Sequence, residues 1–147
     1  IERHLTAHKR YPNAIIANWV KKILPTTHLY KEWPDATEPE LSNHFLLLGV
    51  SSVLYPPHSL YKDAFLTKEI IELCLTADDV WLSCMALLQK TPIYFTKYKY
   101  NHTPVSISNN ETLLDVNRER NQVCVDNLNN YYKEKLGIRP FIDLIDA

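Results

Sequence analysis

Glycine and long apolar runs are scarce in this 147-residue chain. Its only two glycines are Gly49 and Gly137, so its own residues cannot form a glycine-rich loop that cradles phosphate groups. The longest apolar run, residues 45–48, is far shorter than the roughly 20 residues that cross a bilayer. The first ten residues have neither the basic nor the apolar region of a secretory signal. The sequence therefore predicts neither a transmembrane segment nor a leader.

Excess charge of either sign is also lacking. Sixteen basic and 17 acidic side chains give a formal net charge of -1. A near-neutral chain has no general attraction to nucleic acid or to an anionic membrane. We therefore expect no nucleic-acid partner.

Cysteine is rare, and its spacing is uninformative. The three cysteines, Cys74, Cys84 and Cys124, are odd in number, and no two of them have the spacing of metal ligands. Each lies in an apolar helical context, which favours small buried thiols in a reducing compartment over a disulfide or a zinc site. This interpretation predicts a cytoplasmic protein.

Apolar residues are plentiful at 46% of the chain, which suffices for one core and a single domain over residues 1–147. Their periodicity alternates between helical and extended. Helices are expected at residues 1–10, 68–74, 76–88 and 116–136, and extended segments at 14–20, 45–48, 50–55 and 93–100. The order predicts an α/β fold with a mixed sheet and flanking helices.

Two adjacent acids, Asp78 and Asp79, open the helix expected after Thr76. Acids in a first helical turn interact favourably with the helix dipole, and Thr76 with Asp79 has the spacing of a capping box. Alternatively, a carboxylate at the mouth of a cleft can take a proton from a hydroxyl group as a general base. Neighbouring helical side chains diverge by about 100°, so we expect only one of the two to face such a cleft.

Two segments carry a resemblance to a known family. Residues 48–60 read Leu-Gly-Val-Ser-Ser-Val-Leu-Tyr-Pro-Pro-His-Ser-Leu, and residues 73–81 read Leu-Cys-Leu-Thr-Ala-Asp-Asp-Val-Trp. Together they resemble bacterial glycosyltransferases of the GT-A-like, family 2-related type found in surface-polysaccharide clusters. The resemblance implies a partial GT-A-like fold that comprises the acceptor side and lacks the donor-binding half.

The same resemblance implies roles for individual residues. One acid of the pair Asp78 and Asp79 would be the catalytic base for sugar transfer from a nucleotide-sugar to a glycan or lipid-linked acceptor. The substrate-binding candidates are Tyr55, His58, Trp81 and Trp33. A divalent metal, Mg²⁺ or Mn²⁺, would be held with the donor by a preceding half, and we expect no metal ligands in this chain. The enzyme would work in the cytoplasm or at the inner membrane face, and this chain alone would be inactive.

Two other interpretations of the sequence are kept. The chain could be a non-catalytic binding or assembly module that retains the fold. It could also be an unrelated α/β domain in which Asp78 and Asp79 only stabilise the start of a helix.

Overall fold

The computed structural model describes residues 1–98 and 113–146, and these residues form one mixed α/β arrangement. The helices are α1 (Glu2–Arg10), α2 (Thr67–Cys74), α3 (Asp78–Gln89), α4 (Leu113–Leu136) and α5 (Pro140–Asp143). The strands are β1 (Ile15–Ala17), β2 (Val20–Lys22), β3 (Glu40–Ser42), β4 (Phe45–Leu47), β5 (Val53–Leu54) and β6 (Ile93–Phe95). Short 3₁₀ turns cover Tyr30–Glu32, Gly49–Ser51 and Lys62–Phe65.

Four of these strands make a mixed sheet in the order β3-β6-β1-β5. The central pair, β1 and β6, is parallel, with Ile16 opposite Tyr94. The outer strands β5 and β3 run antiparallel to their neighbours. The strands β2 and β4 form a separate antiparallel pair. This mixed sheet with flanking helices confirms the predicted α/β class.

The strand expected at residues 14–20 is divided between the two sheets. The break falls at Asn18, whose side chain is fully buried. Its amide donates a hydrogen bond to the Ser51 carbonyl at 2.7 Å and accepts one from the Thr96 hydroxyl at 2.6 Å. Because a buried amide must satisfy its polar atoms, these bonds fix the chain where it passes from β1 to β2.

The apolar core lies in two parts. The larger part is enclosed by α2, α3, α4 and α5, and its largest fully buried side chains include Trp81, Tyr132 and Phe141. The smaller part lies between α3 and the strands, where Ala86 packs with Ile15 and Phe95. Because α3 packs in both parts of the core, the position of its N-terminus relative to the sheets is fixed.

One expectation from the sequence is wrong here. Cys74 and Cys124 form a disulfide that joins α2 to α4, with their Cα atoms 4.8 Å apart, while Cys84 is buried and free. The sequence could not indicate this pair, because its two members are 50 residues apart. On α1, the buried residue is His4, whereas Ile1 and Leu5 are exposed.

The remaining helices and the last strand agree with expectation to within a few residues. Gly137 ends α4 with φ of 73°, as predicted for a helix C-cap. The strand expected at residues 93–100 ends at Phe95, and its last two residues lie outside the described part of the chain. None of the helices in residues 1–98 and 113–146 is both long enough and apolar enough to cross a membrane.

Candidate functional site

The acidic pair occupies the first turn of α3. Its N-cap is Ala77, and the N-cap makes no side-chain hydrogen bond. The predicted capping role of Thr76 is therefore wrong: its hydroxyl instead accepts a hydrogen bond from Arg120 of α4 at 3.3 Å. Because the helix begins at Asp78, Asp78 and Asp79 are its first two residues.

The two acids diverge, as the helical geometry predicts. Asp78 is exposed and Asp79 is half-buried. The carboxylate of Asp79 accepts a hydrogen bond from the backbone N–H of Gly49. Asp79 is therefore the acid that faces the body of the protein.

Gly49 follows β4 and lies directly against this carboxylate. A Cβ atom at position 49 would lie 2.8 Å from Asp79 Oδ1, so the contact requires glycine. A second link joins the same two elements: the Ser83 hydroxyl donates to the Asp79 carbonyl at 2.6 Å and accepts from the Leu47 N–H at 2.8 Å. The start of α3 is thus fixed to the end of β4.

The environment of Asp79 favours its protonated form. Burial raises the pKa of Asp79, the Gly49 N–H opposes this increase, and the charge of Asp78 adds to it. Desolvation penalises the charged form of a carboxyl group, whereas a donated hydrogen bond favours it. The carboxylate is therefore a stronger base than an exposed aspartate, and it is held in one orientation.

Two tyrosines lie within electrostatic range of Asp79. Burial and the charges of Asp79 and Asp78 raise the pKa of Tyr55 to about 12, so its hydroxyl stays protonated and can donate a hydrogen bond at neutral pH. Tyr55 is 37% exposed, which leaves it accessible to a ligand. Burial also raises the pKa of Tyr30, a hydrogen bond with Asn121 lowers it, and Asp79 raises it further.

The C-terminal half of the chain holds Tyr30 in place. The Gln122 side chain in α4 accepts a hydrogen bond from the Tyr30 N–H at 2.6 Å and donates one to the His28 carbonyl at 3.2 Å. The sequence analysis missed Gln122, Asn121 and the role of Gly49. For Gly49 a signal existed, because one of only two glycines follows an apolar strand.

The site lies beside the carboxyl ends of the parallel strands. The Leu48 N–H donates to the Trp19 carbonyl at 3.1 Å, two residues after the end of β1. This contact brings Gly49 to the edge where β1 and β6 both end. Ligands of α/β proteins commonly bind in the crevice at the carboxyl ends of parallel strands.

Two of the predicted substrate-binding residues, Trp33 and Trp81, are buried. Trp33 and Trp81 are each only 2% exposed, and their indole N–H groups donate to the carbonyls of Thr27 and Ala64 at 3.0 Å. Both are core residues without side-chain surface for a ligand, because large apolar rings gain most from full burial.

His58 is exposed, but it lies at the far end of α3. Its carbonyl accepts a hydrogen bond from Gln89 at 3.1 Å, the last residue of that helix. Ten residues of helix separate Gln89 from Asp79, about 15 Å at 1.5 Å per residue. Of the four predicted substrate-binding residues, Tyr55 alone is both exposed and within electrostatic range of the acid.

Metal ligands are not grouped in the described part of the chain, where no cluster of three or more His, Cys, Asp or Glu side chains occurs. The divalent cation that the family resemblance implies therefore finds no ligand set among these residues, and no step is assigned to it. Comparison of the chain with family models, curated proteins and solved structures finds no match. The chemistry of the site itself carries the functional assignment.

Proposed function

We propose that this chain is the acceptor side of a nucleotide-sugar-dependent glycosyltransferase in which Asp79 is the general base. The observation that supports this role is a half-buried carboxylate, bonded to the Gly49 N–H and within electrostatic range of the partly exposed Tyr55. The alternative that the acids only stabilise the start of α3 explains their place in its first turn, but it does not explain the contact of Asp79 with Gly49.

The proposed step is a single displacement at a sugar carbon. Asp79 accepts the proton of an acceptor hydroxyl while the hydroxyl oxygen forms a bond to the anomeric carbon of the donor sugar. The bond from that carbon to the diphosphate leaving group breaks with its electron pair. A positioned base of this kind contributes about 10²- to 10⁴-fold in rate.

The neighbours of Asp79 have distinct parts in this step. The Gly49 N–H occupies one side of the carboxylate and leaves the other oxygen for the acceptor, since a carboxylate has about four lone-pair sites. The protonated Tyr55 hydroxyl can donate a hydrogen bond to the acceptor oxygen before it attacks. Burial of Asp79 increases its basicity, which brings its pKa closer to the working pH.

The test compares Asp79→Asn with the matched control Asp78→Asn in the natural protein. Release of nucleoside diphosphate from a panel of nucleotide-sugars, with glycan and lipid-linked acceptors, measures transfer. We expect Asp79→Asn to lose at least about 10²-fold in turnover, with donor affinity retained. Asp78→Asn, at an exposed position, should keep most of its activity. Turnover of the Asp79→Asn variant at the unmodified rate would remove Asp79 from the mechanism.

A further inference from the structure

A groove of about 490 Å³ lies between α1 and the end of β6. The helix contributes Arg3, Ala7 and Arg10, and the strand with the residues after it contributes Tyr94, Thr96 and Tyr98. Glu2 and Thr6 complete its lining.

This groove and Asp79 lie on opposite faces of the four-stranded sheet. Ile93 packs with Ala86 of α3, so the face that carries Ile93 is the α3 face. Side chains alternate between faces along a strand, which places the next residue, Tyr94, on the other face with α1. The groove is therefore distinct from the acidic site, although both reach the same edge of the sheet.

The helical wall of the groove carries two positive charges with a small residue between them. Arg3, Ala7 and Arg10 are spaced i, i+4 and i+7, so they lie on one side of α1. The guanidinium of Arg3 lies 3.8 Å from the centroid of the Tyr98 ring, and that of Arg10 lies 5.2 Å from the Tyr11 ring. Seven residues separate the two arginines, about 10 Å along the helix axis.

These guanidinium groups have no carboxylate partner within residues 1–98 and 113–146. Each therefore keeps its hydrogen-bond donors available, since stacking on a ring uses the face of the guanidinium and not its N–H edge. One acid, Glu2, lies at the Arg3 end of the groove, which leaves a net positive lining. The groove is thus suited to binding a negatively charged ligand.

We propose that the groove binds an extended acidic glycan, a chain in which carboxylate groups are separated by uncharged sugar rings. Two arginines about 10 Å apart match separated carboxylates, and Arg binds carboxylate with a two-pronged geometry. Tyr94 lines the groove beside the arginines, and an aromatic side chain suits a sugar ring. The choice of a glycan over another polyanion rests on the proposed function.

Two other anionic ligands fit less well. A single phosphate group would contact only one of the two guanidinium groups, because that of Arg3 lies on the Tyr98 ring and that of Arg10 lies near the Tyr11 ring. Double-stranded nucleic acid carries one charge per about 1.7 Å and calls for a denser basic stripe than two arginines beside one acid.

The groove is connected to the acidic site through three hydrogen-bonded residues. Thr96, at the groove, donates to Asn18, and Asn18 donates to the Ser51 carbonyl. Ser51 is the last residue of the turn that begins with Gly49. These bonds fix the position of the groove relative to the turn that contacts Asp79.

The test is calorimetric titration of the natural protein with an oligogalacturonate, a chain of acidic sugars. A neutral oligosaccharide of equal length and a polyglutamate peptide are the comparison ligands. We expect binding of the oligogalacturonate alone, weakened by salt because the contacts are exposed charges. Arg3→Gln and Arg10→Gln should each raise its Kd about two- to fivefold. The control Lys68→Gln, an exposed lysine on α2, should leave it unchanged, and thermal unfolding checks that each variant is folded.

Other outcomes would overturn the proposal. Equal binding of the neutral oligosaccharide would show that the arginines do not select the ligand. Equal binding of polyglutamate would show that the groove does not select a glycan. Loss of affinity in Lys68→Gln as large as in Arg3→Gln would show non-specific attraction. Asp79→Asn distinguishes the two proposals, because it should abolish transfer and leave glycan affinity unchanged. Arginine-dependent binding with normal turnover in that variant would refute only the catalytic role.

Discussion

Replacing Gly49 by alanine should displace the carboxylate of Asp79 and leave the fold intact. The new Cβ would lie 2.8 Å from Oδ1, whereas ordinary contact begins at 3.4 Å. The carboxylate must therefore move by about 0.6 Å, the difference between these two distances. A misplacement approaching 1 Å at a reacting group costs on the order of 10² in rate. We expect Gly49→Ala to lower turnover about 10- to 100-fold.

The effect on stability should be much smaller. The obstructing atom is the end of a side chain, and an off-rotamer shift costs about 1 kcal/mol. The backbone of Gly49 does not have a positive φ, so alanine also reduces the entropy of the unfolded chain, which stabilises by roughly 0.4–1 kcal/mol. The free energy of unfolding should change by about 1 kcal/mol or less.

Gly137→Ala is the matched control, because the two glycines are needed for opposite reasons. At Gly137 nothing lies within 4 Å of an added Cβ, but φ is +73°. Alanine there is strained, at a cost of about 1 kcal/mol or more, yet the site is untouched. We expect lower stability with unchanged turnover, the reverse of Gly49→Ala.

Turnover is measured by release of nucleoside diphosphate and stability by urea unfolding. Carbon-13 NMR of the Asp79 carboxyl group provides a readout that needs no substrate. Loss of the Gly49 hydrogen bond should raise the pKa of Asp79 further in Gly49→Ala, because that bond favours the ionised form. An unchanged Asp79 titration together with full turnover in Gly49→Ala would refute the claim that this contact positions the base.

Two further predictions concern stability. Burial raises the pKa of Asp63, but hydrogen bonds from Lys135 and Tyr132 outweigh this effect and hold the pKa below its usual value. Ionised Asp63 therefore stabilises the fold above its unfolded pKa of about 3.9, and this contribution is lost as the pH falls through the folded pKa. Measured by urea unfolding, Asp63→Asn should lower the free energy of unfolding by about 2 kcal/mol at pH 7 and by less below pH ~4. The exposed control Asp146→Asn should not change it at either pH. A loss of stability in Asp63→Asn that does not depend on pH would contradict this assignment. Cys124→Ala opens a disulfide across 50 residues and should lower the free energy of unfolding by up to about 4 kcal/mol, and a dithiol should reproduce this loss in the unmodified protein. Insensitivity of that protein to the dithiol would show that Cys74 and Cys124 are not joined.

Local sequence patterns predicted most of the helices and strands. The wrong predictions concern residues whose contacts are distant in sequence. The apolar stripe of α3 and the left-handed Gly137 follow from spacing and residue type. The disulfide and the buried position of Trp33 depend on segments that meet only in the folded chain.

The candidate site divides in the same way. The acid pair and the divergence of its members were predictable from helix geometry. The contact of Asp79 with Gly49 was not, because it joins positions 30 residues apart and depends on how the turn after β4 folds. The burial of Trp81 was not predictable, because an aromatic residue close to an acid has the same sequence signature in a core as at a cleft.

The hydrogen bonds of α4 have a consequence for how the site is assembled. The contact of Asp79 with Gly49 lies within the first 90 residues, but α4 holds both sides of the site. Arg120 and Cys124 contact Thr76 and Ala77 at the start of α3, and Gln122 ties down the segment around Tyr30. During synthesis the site would therefore be complete only when this long helix docks.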